Sequence, residues 1–272
     1  MYYQEVSFTN EEDSIKLAGM LFVPEGTDPF PVAVIIHGSG TSRRNNPWYL
    51  SVADHLKKNG VAVLLPDKRG SEKSTGNWIG ADFETLATDT KSAIDFIMNQ
   101  DLFSYSNVGI IGMSQGGWIA PIVANKSKNI SFVVNMVGPM VTVDEQLLHE
   151  EFHNLSPYTY DFIARLIAPF AVEILKKLEA ITPFVGFDPI PYWEEVKIPV
   201  FVAYGENDTN CPVEESLNRM IKYKLDHFQT KVYTDGGHAI VDKKTSRVSE
   251  QFLNDLVNFI INSVENNALY SS

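Results

Sequence analysis

The feature that most constrains this chain is a serine flanked by glycines, placed between an apolar run and a helix-like run. Gly112, Ser114 and Gly116 form the pattern G-x-S-x-G. Residues 107–111 before it predict a short buried strand, and residues 117–124 after it predict an apolar helix. The glycines remove Cβ atoms that would clash in a tight strand-to-helix turn, so the serine hydroxyl is held outward. Ser114 is therefore a candidate nucleophile; the alternative is a serine that merely caps a helix.

Continuous apolar runs elsewhere in the chain predict further strands. Such runs suit strands that are buried on both faces of a parallel sheet. They lie at residues 31–37, 61–66, 132–137 and 200–204, with a shorter strand expected at 231–233. Near the N-terminus, residues 6–9 are expected to pair with residues 16–23 around a polar turn, as an antiparallel hairpin.

Helical segments separate these strands, and one longer helical segment interrupts the alternation. Helices are predicted at residues 47–59, 82–99, 213–224 and 247–263. Residues 140–193 are helical and aromatic-rich, which indicates a lid inserted at that point. We therefore predict one α/β domain over residues 1–272, with a mostly parallel sheet, helices on both faces, the antiparallel hairpin and the helical lid. A loose tail is expected after residue 265.

Charge and cysteine content exclude several classes of protein. The net charge of −12 argues against nucleic acid and anionic membrane as partners, because both need a basic face. The single cysteine, Cys211, allows neither an intramolecular disulfide nor a cysteine-based zinc site, and is expected to be a packing residue. No run reaches the ~18 apolar residues of a membrane span, and the N-terminus has no signal-peptide pattern. We expect a cytoplasmic protein that acts on a small molecule.

A base and an acid for Ser114 follow later strands. Asp208 comes after the strand at residues 200–204, and His238 lies in a loop after the strand at 231–233. Sites in open α/β sheets form at the carboxyl ends of the strands, where all three residues fall. A serine hydroxyl becomes a good nucleophile only when a base takes its proton and a third group holds that base. Glu206 and Asp235 compete with Asp208 for the role of acid.

The loop HGSG at residues 37–40 predicts an oxyanion hole. It directly follows a strand, and its glycines let the backbone approach a substrate carbonyl. The backbone N–H groups of Ser39 and Gln115 are the expected donors, with Gly40 as the alternative to Ser39. His37 is expected to brace this loop and to take no part in the chemistry.

These residues together resemble the α/β-hydrolase superfamily over essentially the whole chain. A closer similarity is to bacterial serine carboxylesterases, which share the HGSG loop, a hairpin like LAGMLFVP at residues 17–24 and a D-x-R-G-x-x-x-S-T-G loop like residues 67–76. They place the acid in a G-x-x-D turn followed by PVEES, as at residues 205–216 here. Their core is shared with prolyl-oligopeptidase-type peptidases, so the resemblance implies ester hydrolysis and leaves peptide-like substrates open. Glu72 departs from the pattern, since relatives tend to have glycine there.

A second motif points to different chemistry. Residues 149–153 read HEEFH and match the zincin pattern H-E-x-x-H, in which His149 and His153 would bind zinc and Glu150 would act as base. The motif lies in the segment that interrupts the sheet, and only Glu173 and Glu179 are remote candidates for a third ligand. An amphipathic helix that carries two histidines is the better interpretation.

We therefore expect a serine esterase that cleaves carboxylic esters of small to medium acyl or aryl groups. Ser114 attacks, His238 transfers the proton and Asp208 orients His238. Because the imidazole must be neutral to act as a base, activity should fall in acid. Met113 and Trp118 are expected to line the substrate pocket. Some aromatic residues of the lid should join them, from the set Phe152, Tyr158, Tyr160, Phe162, Phe170, Phe184, Phe187, Tyr192 and Trp193.

Three alternatives stay open. A thioesterase or a small-peptide hydrolase would use the same triad, a zinc peptidase would use HEEFH, and a ligand-binding protein would carry an inactive triad. The esterase interpretation implies no metal and no organic cofactor. The sequence does not indicate an oligomeric state.

Overall fold

Eight strands form the central sheet of the computed structural model, which describes residues 2–270 and the side chains of residues 2–263. The strands are β1 (Gln4–Asn10), β2 (Ile15–Phe22), β3 (Phe30–Ile36), β4 (Ala62–Pro66), β5 (Tyr105–Met113), β6 (Val133–Met136), β7 (Val200–Gly205) and β8 (Gln229–Tyr233). Their order across the sheet is β1-β2-β4-β3-β5-β6-β7-β8. The pairs β1–β2 and β2–β4 are antiparallel, and the other neighbours are parallel.

Eight α-helices accompany these strands within the described residues. They are α1 (Pro47–Lys58), α2 (Phe83–Asn99), α3 (Gly116–Lys126), α4 (Val143–Leu155), α5 (Asp161–Leu175), α6 (Ile190–Glu194), α7 (Val213–Lys222) and α8 (Glu250–Tyr270). Local caps set several starts: the side chain of Asp82 accepts the N–H of Thr85 at α2, and Thr142 with Glu145 forms a capping box at α4. The segment predicted as a lid, residues 140–193, contains α4, α5 and α6 between β6 and β7.

The sheet is buried on both faces, which explains the continuous apolar runs. Along β5, Val108 and Ile110 face the core formed with α2 and α3, whereas Ile111 and Met113 face the core formed with α1 and α8. Neighbouring residues of a strand point to opposite faces, so a strand covered on both sides is apolar throughout. The predicted α/β fold, with its antiparallel start and mostly parallel sheet, is confirmed.

The C-terminal part differs from the prediction. A small hairpin of β9 (Val241–Asp242) and β10 (Arg247–Val248) occupies the place where a helix was expected to begin. The side chain of Asp242 accepts the N–H groups of Lys244 and Thr245 and thereby holds the turn. Helix α8 begins only at Glu250 and continues past the expected end. The last part of the predicted loose tail, residues 271–272, lies outside the described residues.

Among the helices of the described residues, none combines the length and the apolar character needed to cross a membrane.

Candidate active site

The turn between β5 and α3 holds Ser114 in an unusual backbone conformation. Its φ is +54°, in the left-handed region that ordinary residues seldom adopt. The glycines beside it allow this close turn: a Cβ on Gly112 would lie 2.3 Å from the carbonyl oxygen of Gly116. A Cβ on Gly116 would lie 2.3 Å from the carbonyl oxygen of Ile36 in β3. Both positions therefore require glycine, as the pattern predicted.

The structure brings Ser114, His238 and Asp208 into one chain of hydrogen bonds. The His238 Nε2 lies 2.9 Å from the Ser114 Oγ. The His238 Nδ1 lies 3.0 Å and 2.9 Å from the two carboxylate oxygens of Asp208. With the proton on Nδ1, the imidazole donates to the carboxylate and its Nε2 accepts from the serine hydroxyl. This arrangement can remove a proton from Ser114 and stabilise the imidazolium that forms.

Asp208 is itself fixed in place. It is 5% exposed, and its Oδ1 accepts the backbone N–H groups of Asn210 at 2.8 Å and Cys211 at 2.9 Å. The two competing acids are engaged elsewhere: Glu206 accepts the backbone N–H of Asp235, and the Asp235 carboxylate pairs with Lys243. Of these three candidate acids, Asp208 is the one that contacts His238.

Cys211 is fully buried beside this acid. Burial raises the pKa of its thiol well above the usual value, so the thiol stays protonated. This agrees with the expected packing role.

The HGSG loop lies directly against the serine. A Cβ on Gly38 would lie 3.2 Å from the Ser114 Cβ, and the Gly38 N–H donates to the Tyr49 hydroxyl at 2.9 Å. Ser39 and Gln115 line the same cavity as Ser114, whereas Gly40 does not. Gly40 instead turns the chain away with a φ of +75°. The loop thus brings Ser39 to the cavity that contains Ser114.

His37 lies beneath this loop, away from Ser114. Its Nε2–H donates to the carbonyl oxygen of Pro66 at 2.6 Å, and its ring packs edge-on against Tyr49. Burial lowers the pKa of His37 to about 3, with a smaller contribution from the nearby Lys68 ammonium. The ring is therefore neutral and braces the loop from below.

A cavity of about 480 Å³ opens over Ser114. Trp48, Tyr49, Trp118 and His238 of the body of the fold line it. Further lining comes from residues 140–193, through Val143, Gln146, Leu147, Glu150, Glu151, Leu175, Ile181 and Phe184. Residues of the segment predicted as a lid therefore line the same cavity as Ser114.

The predicted pocket residues divide into two groups. Trp118 lines the cavity, and its indole N–H donates to the carbonyl oxygen of Val141 at 3.3 Å. Met113 does not line it: the side chain is fully buried in the core with Ile111, because both point to the face of β5 that packs on α1 and α8. The assignment of Met113 to the pocket is therefore corrected.

Most of the predicted lid aromatics also lie elsewhere. Of that set, all within the described part of the chain, Phe184 lines the cavity. Trp193 is buried against Phe228, whereas Phe162 and Phe170 are exposed on α5. Nothing in the sequence distinguishes these aromatics, because the rotation of each helix decides which side chains point inward.

The HEEFH segment forms part of α4. The His149 Nε2–H donates to the backbone carbonyl oxygen of Asp208 at 3.0 Å, and the Glu150 carboxylate accepts from the side chains of Gln146 and Asn210. Within the described residues, no group of three or more His, Cys, Asp or Glu side chains is arranged to hold a metal ion. The motif thus serves to attach α4 to the loop that carries Asp208.

The unexpected Glu72 has a structural explanation. Its φ is +50°, a left-handed conformation in which glycine is free of the steric cost that other residues meet. Glu72 tolerates it while its Oε1 accepts the backbone N–H of Arg44 at 3.1 Å. A glycine could not make that contact.

Comparison with known proteins decides the family. The sequence profile of the prolyl oligopeptidase family matches residues 48–266, more than half of the 272 residues. The chain belongs to this family. The matched part of this prolyl oligopeptidase family member contains Ser114, Asp208 and His238, whereas the HGSG loop precedes it.

Relatives of this family member include peptidases and esterases. Acylamino-acid-releasing enzyme of Homo sapiens is 23% identical over 258 residues, which cover 90% of this chain and 34% of that enzyme. Esterase EstD of Thermotoga maritima is 26% identical over 161 residues, 57% of this chain and 38% of the esterase. The chain spans about a third of the length of the first relatives that it matches.

The fold is also similar to that of solved esterases. The structure of the Pyrococcus furiosus esterase Pf2001 superimposes with a TM-score of 0.72 at 22% identity, covering 96% of this chain and 91% of that one. This likeness supports the α/β-hydrolase fold.

Proposed function

We propose that the protein is a serine esterase that hydrolyses carboxylic esters of small to medium acyl or aryl groups. The observation that carries this proposal is the continuous hydrogen-bonded chain from Asp208 through His238 to Ser114, which ends in an open cavity of about 480 Å³. A hydroxyl activated in this way needs only an ester carbonyl within reach to react.

The proposed reaction proceeds through an acyl-enzyme. His238 takes the hydroxyl proton as Ser114 attacks the carbonyl carbon, and the same proton then passes to the leaving alkoxide. The backbone N–H groups of Ser39 and Gln115 stabilise the negative oxygen of each tetrahedral intermediate. Water, deprotonated by His238, releases the acid and restores Ser114.

The size of the substrate is proposed from the covering segment. Residues of helices α4 and α5 and Phe184 line the same cavity as Ser114, so residues 140–193 would act as a lid that limits acyl length. A series of p-nitrophenyl esters from acetate to palmitate tests this. We expect the highest kcat/KM at short to medium chains, and a preference for long-chain emulsions would contradict the proposal.

Labelling with a fluorophosphonate tests the nucleophile itself. Mass spectrometry should locate one adduct on Ser114, and Ser114→Ala should remove it. Ser39→Ala is the matched control, because its backbone N–H is kept and the adduct should persist. A folded protein that forms no adduct would refute the activated serine.

One observation favours a second candidate, hydrolysis of small peptides or aminoacyl compounds. Glu150 and Glu151 both line the cavity, and no lysine or arginine is among the described residues that line it. Carboxylates on the wall would attract a substrate amine. Aminoacyl p-nitroanilides compared with acyl esters of equal size distinguish the two, since the esterase proposal expects turnover of the esters and little of the anilides.

A further inference from the structure

Lys68 is a buried lysine beside the candidate active site, in the loop that follows β4. It is 9% exposed. Its Nζ donates to the carbonyl oxygen of Gly38 at 2.5 Å and lies 3.3 Å from the side-chain Oε1 of Gln115. Among the described residues, no carboxylate lies within ion-pair distance of this ammonium. A buried charge without a counter-ion is costly. Its two contacts are with the peptide unit that joins Gly38 to Ser39 and with the side chain of Gln115.

The geometry of one peptide unit links Lys68 to that hole. The peptide between Gly38 and Ser39 is trans, and in a trans peptide the C=O and N–H bonds point in opposite directions. Lys68 holds the C=O from within the protein and does not line the substrate cavity, whereas Ser39 does. The Ser39 N–H is therefore turned toward the cavity, next to Ser114.

We propose that Lys68 is a positioning residue for the oxyanion hole: its ammonium fixes the Gly38–Ser39 peptide and the Gln115 side chain, and polarises the Ser39 N–H toward the substrate oxygen. A hydrogen bond from an ammonium to the carbonyl polarises the peptide and strengthens its N–H as a donor. Its positive charge, held in a dry environment, also favours the negative oxygen of the intermediate. This inference rests on the proposed function and deepens it.

The charge on Lys68 should depend on pH in the working range. Burial lowers the pKa of Lys68 to about 8. The groups that share its surroundings do not compensate: His37 is neutral, Asp67 is bound by Arg44, and Asp89 is bound by Arg69. Trp78 and Gln115 also lie beside the Lys68 ammonium, and neither side chain carries a charge. The ammonium is present below about 8 and is lost as the pH rises through that value, so the oxyanion hole should weaken in alkali.

Steady-state kinetics of Lys68→Met with a p-nitrophenyl ester provide the first test. We expect kcat to fall about 10- to 10²-fold at pH 7, with KM within about threefold, because the lost interaction is made in the transition state. The wild type should show a decline of kcat centred near pH 8, which Lys68→Met should lack. Lys68→Arg, charged throughout this range, should also lack the decline and keep more activity.

Lys73→Met is the matched control. Lys73 lies in the same loop, is exposed and pairs with Glu5, so its removal should change neither kcat nor the pH profile. Unchanged kcat and an unchanged alkaline decline in Lys68→Met would overturn the inference while leaving the esterase proposal intact.

A measurement that needs no turnover separates the two proposals. In Ser114→Ala labelled with ¹⁵N-serine, the amide resonance of Ser39 should shift with a midpoint near pH 8. The same resonance should be flat across this range in Ser114→Ala/Lys68→Met. If the wild type hydrolyses no ester but Ser39 titrates in this way, the proposed function fails and the role of Lys68 stands. A flat Ser39 resonance in Ser114→Ala refutes that role.

Discussion

Gly116→Ala is the substitution whose effect follows most directly from the structure. The new Cβ would lie 2.3 Å from the carbonyl oxygen of Ile36 and 3.1 Å from that of His37. Ordinary contact begins at 3.4 Å, and both neighbours are backbone atoms that cannot rotate away. The start of α3 must therefore move about 1 Å away from β3, and Ser114 and Gln115 move with it.

Two measurable losses follow from this displacement. Overpacking of this kind costs about 1–3 kcal/mol of unfolding free energy. A misplacement of about 1 Å in a catalytic group can lower the rate about 10²-fold. We expect Gly116→Ala to show both losses. Urea unfolding followed by circular dichroism measures the loss of unfolding free energy, and kcat/KM on p-nitrophenyl acetate measures the loss of rate.

Gly60→Ala serves as the control, because it tests alanine at a glycine where the space is open. Gly60 has a φ of +82°, and no heavy atom beyond its chain neighbours lies within 4 Å of the position that a Cβ would take. The variant should lose about 1–2 kcal/mol through backbone strain alone and keep full activity. Gly116→Ala with activity within about threefold of wild type would show that β3 absorbs the clash and that the turn between β5 and α3 is not fixed by this contact.

Three further predictions concern other parts of the site and its supports. Asp208→Asn should lower kcat by about 10³–10⁴-fold while the protein stays folded, because an amide can hold His238 in the wrong tautomer. Steady-state kinetics measure the loss and circular dichroism checks the fold. Activity near that of the wild type would show that another residue is the acid. Glu72→Gly should raise the unfolding free energy by about 0.5–1 kcal/mol by relieving the left-handed φ of +50°, and a loss of stability in urea would show that the contact with Arg44 matters more. The buried His37, whose folded pKa is about 3, binds its proton only in the unfolded chain between pH 6.5 and about 3, so stability falls as the pH drops through this window. Urea unfolding at pH 6.5 and 5 should show this as about 2 kcal/mol lost in wild type beyond that lost in His37→Gln, and equal losses would contradict it.

Most of the fold could be predicted because its signals are local. The runs that became β3 and the second half of β5 are apolar because both faces of the sheet are buried there. The turn between β5 and α3 requires glycine at two positions for steric reasons. The hairpin β9–β10 was missed because each of its strands has only two residues and its turn is held by one side chain, Asp242. Met113 was misplaced because the sequence does not say which face of β5 looks toward the cavity.

The role inferred for Lys68 lies beyond local signals. Its contact with Gly38 joins residues 30 apart in the chain, and neither the motif D-x-R-G nor the charge itself indicates which backbone carbonyl it meets. Only the fold shows that the ammonium is buried.

The buried ammonium of Lys68 lowers the stability of the fold. Lowering its pKa from 10.5 to about 8 means that holding the ammonium in the protein costs about 3 kcal/mol relative to the unfolded chain. Because the folded pKa is depressed, this cost is fully present below pH 8 and disappears as the pH rises toward 10.5. Stability should thus increase over the same interval in which the oxyanion hole loses its support. A lysine without a role in the reaction would show this rise in stability with no change in kcat, whereas a charge that supports the oxyanion hole makes stability rise while kcat falls.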